Sequence, residues 1–208
     1  PQEEEDKEDC PICCDALPKL SIQFSRMYCC GKGLHDKCAK DLVSNKSMTL
    51  EQKLTCIMCR SKYMVEGTKE EIERLRNWVK RGKAWAMDVL AVRYLKGVGV
   101  KQSDKKAVEL YEMAAKRGSA TAQAVLGQSY DKGHHGLTQS STRAVQFYTL
   151  AAEQGHIKVQ YALGFMYANG DGIETSYSKA REWWTKAAAQ GDEMAIGGLK
   201  LFDELGRI

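Results

Sequence analysis

The sequence predicts a small cysteine-rich module followed by an all-α array of stacked helical hairpins, and three observations carry that expectation. All eight cysteines lie within the first 59 of 208 residues. From residue 68 onward the apolar residues recur at helical rather than strand spacing. Within that stretch one phrase returns three times, as Ala114-Ala115-Lys116-Arg117-Gly118, Ala151-Ala152-Glu153-Gln154-Gly155 and Ala187-Ala188-Ala189-Gln190-Gly191. With Gly82 ahead of them, the closing glycines stand 36, 37 and 36 residues apart.

Residues 1–9 (PQEEEDKED) are acidic, lack core residues and read as a disordered tail. Residues 10–64 form the cysteine segment. Cys10-Pro11-Ile12-Cys13 and Cys56-Ile57-Met58-Cys59 are Cys-x-x-Cys pairs, a spacing that lets two thiolates reach one tetrahedral zinc. A secreted disulfide scaffold is the other reading, but the short spacings and the absence of a secretory signal favour metal and a reducing compartment, cytoplasmic or nuclear. The chain opens on Pro1 rather than Met and so reads as a trimmed segment, with a lost targeting sequence left open. Eight ligands for two zinc ions follow in chain order: Cys10, Cys13, Cys29, Cys30, His35, Cys38, Cys56 and Cys59. Cys14 is left over, either a nucleophile or, in the blander reading, a small buried hydrophobe.

Charge has to be corrected for that metal. Residues 1–67 carry ten Lys/Arg against eleven Asp/Glu, and residues 68–208 carry 21 against 16, which yields the formal +4. Seven thiolates on two zinc ions would take the first segment to about −4 and the chain to about +1. The pI of 8.6 is therefore a poor argument for nucleic-acid binding. No apolar stretch approaches the ~20 residues of a membrane span.

A polar stretch, Glu66-Gly67-Thr68, leads into a helix start with Thr68 as N-cap. The repeat array then runs over residues 68–208: a half unit (68–82), full units at 83–118, 119–155 and 156–191, and a terminal helix over 192–205. Leu90, Leu126 and Leu163 correspond, as do Tyr94, Tyr130 and Tyr167, and each tyrosine precedes a glycine turn. Each second helix pairs an alanine with an aromatic four residues on: Ala107/Tyr111, Ala144/Tyr148 and Ala180/Trp184. One such hairpin cannot bury its apolar face alone, whereas stacked units can.

This pattern of Leu-Gly, Tyr, glycine turn, Ala, aromatic and Ala-Ala-x-x-Gly resembles the Sel-one-like repeat, a relative of the tetratricopeptide repeat. The resemblance implies a right-handed α-solenoid that holds proteins together. The ligand order of the cysteine segment resembles the cross-brace of RING domains. There Cys10, Cys13, His35 and Cys38 would share one zinc, and Cys29, Cys30, Cys56 and Cys59 the other. A linear pairing is also geometrically open. The RING resemblance further implies contacts to a ubiquitin-conjugating enzyme from Ile12, Leu42 and Ile57, with Arg60 as the basic linchpin that restrains ubiquitin. Ile57 in place of the usual proline, Leu42 in place of tryptophan, and adjacent Cys29-Cys30 depart from the family pattern.

The expectation is thus a RING-type ubiquitin-protein ligase, a transferase that moves ubiquitin from a conjugating enzyme to a protein substrate held by the repeats. Its mechanism would be proximity and orientation rather than a nucleophile of its own. The alternatives are a non-enzymatic zinc-containing scaffold and a PHD-like reader of histone tails, whose ligand order is the same. In the repeats, Val92, Gln128, Tyr161 and Phe165 lie on first helices, at positions where a solenoid groove meets a partner, although extra core packing explains them as well. His134 and His135 read as an exposed turn more readily than as a metal site. Trp184 falls on a periodic core position, and Trp183 beside it is ambiguous.

Overall fold

The computed structural model describes Phe24–Arg26, Gly33–His35 and residues 66–206. They belong to two compact bodies, residues 1–102 and 103–208, which are taken one at a time.

In the first body, strands β1 (Phe24–Arg26) and β2 (Gly33–His35) pair antiparallel, with Phe24 opposite His35 and Arg26 opposite Gly33. Two helices follow, α1 (Lys69–Lys80) and α2 (Ala84–Lys96), packed on one another. Thr68 is the N-cap of α1, its hydroxyl accepting from the Glu71 amide at 3.3 Å. Ile72 and Leu75 are buried on α1; Ala86, Met87, Leu90 and Ala91 are buried on α2. Helix α2 ends at Gly97, which sits in the left-handed region at φ 69°, where a side chain would be strained.

The second body is entirely helical among its described residues: α3 (Asp104–Lys116), α4 (Ala120–Lys132), α5 (Ser141–Glu153), α6 (Ile157–Asn169), α7 (Tyr177–Ala188) and α8 (Glu193–Glu204). Each helix packs on the next in chain order, the quasi-one-dimensional arrangement of a repeat array. The helix starts are written locally. Ser103, Ser119, Ser140, Ser176 and Asp192 each accept a hydrogen bond from the amide three residues on.

The Ala-Ala-x-x-Gly phrase has a specific geometry. Gly118 donates to the Ala115 carbonyl at 3.0 Å and Ser119 to the Ala114 carbonyl at 3.1 Å. Gly155 and His156 repeat this with Ala152 and Ala151, and Gly191 and Asp192 with Ala188 and Ala187. This is a Schellman turn, which closes the second helix of each unit by satisfying its last carbonyls. The first alanine of each pair is fully buried, so it also supplies a flat surface for the neighbouring helix.

One cluster joins α4, α5 and α6 through Tyr130, Val145, Tyr148, Val159, Leu163 and Met166. Another joins α7 and α8 through Ala180, Trp184, Ala187, Ala195 and Phe202, with Tyr161 and Tyr167 of α6 packed against it. Close approach depends on two helix glycines. A β-carbon at Gly127 would stand 2.5 Å from the Tyr148 ring, and one at Gly164 would stand 2.5 Å from the Trp184 indole.

Candidate partner-binding surface

The described surface divides into faces used for stacking and faces left to solvent. The stacking faces carry a polar fastening as well as apolar contacts. Gln123 donates to the Ala115 carbonyl at 3.3 Å, and Gln154 donates to the Gln123 side-chain carbonyl at 2.7 Å. One unit later Gln160 donates to Ala152 at 3.0 Å, and Gln190 to Gln160 at 2.8 Å. The Ala115 and Ala152 carbonyls thus accept two bonds each, one from the turn glycine and one from a glutamine. Both Gln123 and Gln160 are buried, so the bonds offset what burying an amide costs. Sequence reasoning missed these four residues. Their signal was present as glutamine five residues after, and one residue before, successive closing glycines.

Electrostatics in the second body follow burial. Desolvation, helped by Asp131, pushes the Tyr148 hydroxyl up to about 12. His156 is the N-cap of α6 but makes no side-chain cap bond, and its buried Nδ1 has no hydrogen-bond partner. Burial holds its pKa below the ordinary histidine value, with Lys158 adding to the depression. In the middle-unit turn, Ser129 lies 2.9 Å from His135 Nδ1 and donates to the Val125 carbonyl at 2.8 Å. With the hydroxyl hydrogen given to the backbone carbonyl, Ser129 is left as the acceptor in its contact with His135, which fits the tautomer protonated at Nδ1. Ser129 is buried within its helix, so this pair is a turn support and not an activated nucleophile.

The exposed face of the first helices is where the sequence placed a partner groove. Counting ten residues from each closing glycine selects Val92, Gln128, Phe165 and Leu201. Val92 is half-buried, Gln128 exposed, Phe165 47% exposed and Leu201 53% exposed. Tyr161 differs from them. It stacks on Trp184 with ring centroids 6.3 Å apart, and its carbonyl accepts the Trp184 indole N–H at 3.0 Å. Helix α8 and its C-cap add Met194 and Leu205 to the exposed apolar residues, spaced seven before and four after Leu201 and so on one side of the helix. Lys186 lies over the Trp183 ring at 4.1 Å, which leaves that indole half-covered and not an open cage.

The remaining site residues lie elsewhere. Cys10, Cys13, Cys29, Cys30, Cys38, Cys56 and Cys59, together with Ile12, Leu42, Ile57 and Arg60, are outside the described residues. His35 is the last residue of β2.

Comparison with protein families matches the Sel1 repeat at residues 86–119, 120–156 and 157–192. The chain belongs to the Sel1 repeat family, and its eight described helices fit that family's solenoid fold. Among solved structures it is similar to a Sel1 repeat protein from Oxalobacter formigenes, with 33% identity and a TM-score of 0.63, covering 66% of this chain and 56% of that one. It is equally similar to c5321, a protective antigen present in uropathogenic Escherichia coli strains that displays an SLR fold. There the identity is 33% and the TM-score 0.63, over 71% of this chain and 31% of that one. This chain therefore spans less than two thirds of either protein. No curated protein matches the sequence.

These findings correct the expected activity. The family match and both similar structures concern the repeats, and none points to a RING domain or to ubiquitin transfer. Among the described residues no group of three or more His, Cys, Asp or Glu could hold a metal ion. The reading as a RING-type ubiquitin-protein ligase, a transferase, gives way to that of a Sel1 repeat protein. The physical reason is that a shared order of metal ligands does not define an activity, whereas the repeat register at residues 86–192 does define a fold. No helix among the described residues is long and apolar enough to cross a membrane.

Proposed function

We propose that this chain is a non-enzymatic scaffold that binds a partner protein on the exposed face of α6 and α8. The observation carrying this reading is the pair Phe165 and Leu201, large apolar side chains at equivalent repeat positions, each about half exposed. Neither is needed to close the core, because Leu163, Met166, Trp184 and Phe202 already do so. Exposed aromatic and aliphatic anchors of this kind carry most of the energy of protein interfaces. Met194 and Leu205 extend the surface along α8. Membership of the Sel1 repeat family supports the reading.

In the same reading residues 10–64 are a structural zinc module holding two ions through Cys10, Cys13, Cys29, Cys30, His35, Cys38, Cys56 and Cys59. The support is the Cys-x-x-Cys spacing at either end of the segment. A cytoplasmic or nuclear location follows from thiols kept reduced for metal.

The test replaces both anchors in one variant, Phe165→Ser with Leu201→Ser. Proteins retained saturably by the parent are identified and titrated against parent and variant. The variant should keep its Tm within a few degrees and bind at least one such partner roughly tenfold more weakly, the cost of losing one to two apolar anchors. If every titrated partner binds parent and variant equally, this face is not the binding surface.

A further inference from the structure

We propose that residues 66–68 are a clamped joint, locked onto the first repeat hairpin by Arg93, and not a free linker between the cysteine segment and the repeats. The lock is a three-way arrangement within the first body. Arg93 Nη1 meets Glu66 Oε1 at 2.6 Å, and Nη2 meets Glu71 Oε1 at 2.8 Å. Arg93 Nε also approaches both Glu71 oxygens, at 3.3 and 3.4 Å. The same Glu71 carboxylate accepts the Gly67 amide at 2.6 Å, while the Glu71 amide is held by Thr68. Thr68-Lys69-Glu70-Glu71 thus has the residue pattern of a capping box, but its glutamate accepts the amide of Gly67, one residue before the N-cap, and is paired with an arginine 22 residues away.

Backbone packing reinforces the lock. Gly67 and Gly99 are both left-handed, at φ 79° and 71°. A β-carbon on Gly67 would meet Val98 at 2.8 Å, and one on Gly99 would run into the Gly67 carbonyl. The repeats use this contact elsewhere: Gly172, in the third glycine turn, is pressed in the same way against Ser141 at the start of α5. Residues 66 and 67 therefore enter the array through a repeat-type contact.

The ion pair is an addition to that contact. Counting eleven residues from the closing glycine, the positions equivalent to Arg93 hold Ser129 and Met166. Those units pack without a charge there. Arg93 and Glu71 are both buried, and a buried guanidinium is kept only where its partners are placed for it. Its partners here are the two carboxylates that flank the joint. The chain therefore enters the first hairpin through residues 66–68 in one direction, where a flexible linker would sample many.

The test uses the full chain. Exchange of the Gly67 amide and cleavage after Glu66 by a glutamate-specific protease are measured for the parent, for Arg93→Lys and for Glu66→Gln, the last by exchange alone. Lys keeps the buried charge but lacks the planar fork whose Nε, Nη1 and Nη2 meet the two carboxylates, and Glu66 is 59% exposed, so the second variant spares the core. In the parent the Gly67 amide should exchange at least a hundredfold more slowly than in a free peptide. Arg93→Lys should speed both exchange and cleavage about tenfold, and Glu66→Gln should speed exchange several-fold, with the helical circular dichroism of α2–α8 unchanged. Peptide-like exchange at Gly67 in the parent, or exchange unaltered in both variants, overturns the clamp.

Discussion

Gly164→Ala adds one methyl group to the middle of α6, and the structure says where it would go. The new β-carbon would lie 2.5 Å from Trp184 Cδ1 and Nε1 and 3.1 Å from the Ala180 carbonyl. The indole cannot swing aside. Its N–H is bonded to the Tyr161 carbonyl, Tyr161 stacks on it, and Phe202 meets it edge-on at 4.7 Å. Overpacking of a tight core costs about 1–3 kcal/mol, and straining the indole hydrogen bond adds up to ~1 kcal/mol. Against this, alanine favours the helix over glycine by ~1 kcal/mol. The net is a destabilisation of up to about 3 kcal/mol, centred on about 1.5, or a fall in Tm of about 6 °C and at most about 12 °C at roughly 4 °C per kcal/mol. The control is the same substitution in α8. A β-carbon on Gly197 in α8 meets nothing within 4 Å, so Gly197→Ala should keep only the helix gain and raise Tm by about 2–4 °C. Thermal melts followed by circular dichroism at 222 nm read both. Should the two variants shift Tm in the same direction, the glycine-to-indole packing argument is wrong.

Two further outcomes can be measured. His156 is half-buried, and desolvation holds its pKa below that of the unfolded chain. The native state therefore takes up fewer protons, and stability should decline as pH falls below about 6.5, the ordinary histidine value, levelling off below the folded pKa. His156→Asn should flatten that limb and add about 0.5–2 kcal/mol by capping α6, which urea melts at pH 5 and pH 8 would resolve; an unchanged pH slope counts against the assignment. For the cysteine segment, elemental analysis should find two zinc ions per chain, and a chelator should remove them without loss of helical signal from the repeats, which contain no cysteine. One ion per chain, or helix loss on chelation, would contradict the module as proposed.

The activity was the least legible part of the sequence. Zinc-ligand spacing reports which residues can share a metal, and many modules with unrelated functions share one order of ligands. The step from that order to a ubiquitin ligase rested on resemblance, and the comparisons match the repeats instead. The exposed anchors were half legible. Tyr161 and Phe165 stand four apart on one helix and read alike as groove residues, yet Tyr161 stacks on Trp184 while Phe165 faces solvent. Leu201, at the position equivalent to Phe165, was readable from the repeat register but was not singled out.

What the sequence determined by itself is the set of features closed within a few residues. The Schellman turns span six residues from Ala114 to Ser119, and the serine caps reach three residues along the chain. Their energetics are settled before any helix meets another, so the residue pattern alone places the helix ends. Tertiary structure decided the rest. Gln154 finds Gln123 across 31 residues, and Arg93 finds Glu71 across 22. Glutamine and arginine are at home on a solvated surface, and only the packing of helices around them buries Gln123 and Arg93 and supplies their partners. Gly164 and Gly197 differ likewise: the register marks Gly164, which follows Leu163 as Gly127 follows Leu126, but only packing decides that an indole fills the space at one while a β-carbon at the other would meet nothing within 4 Å.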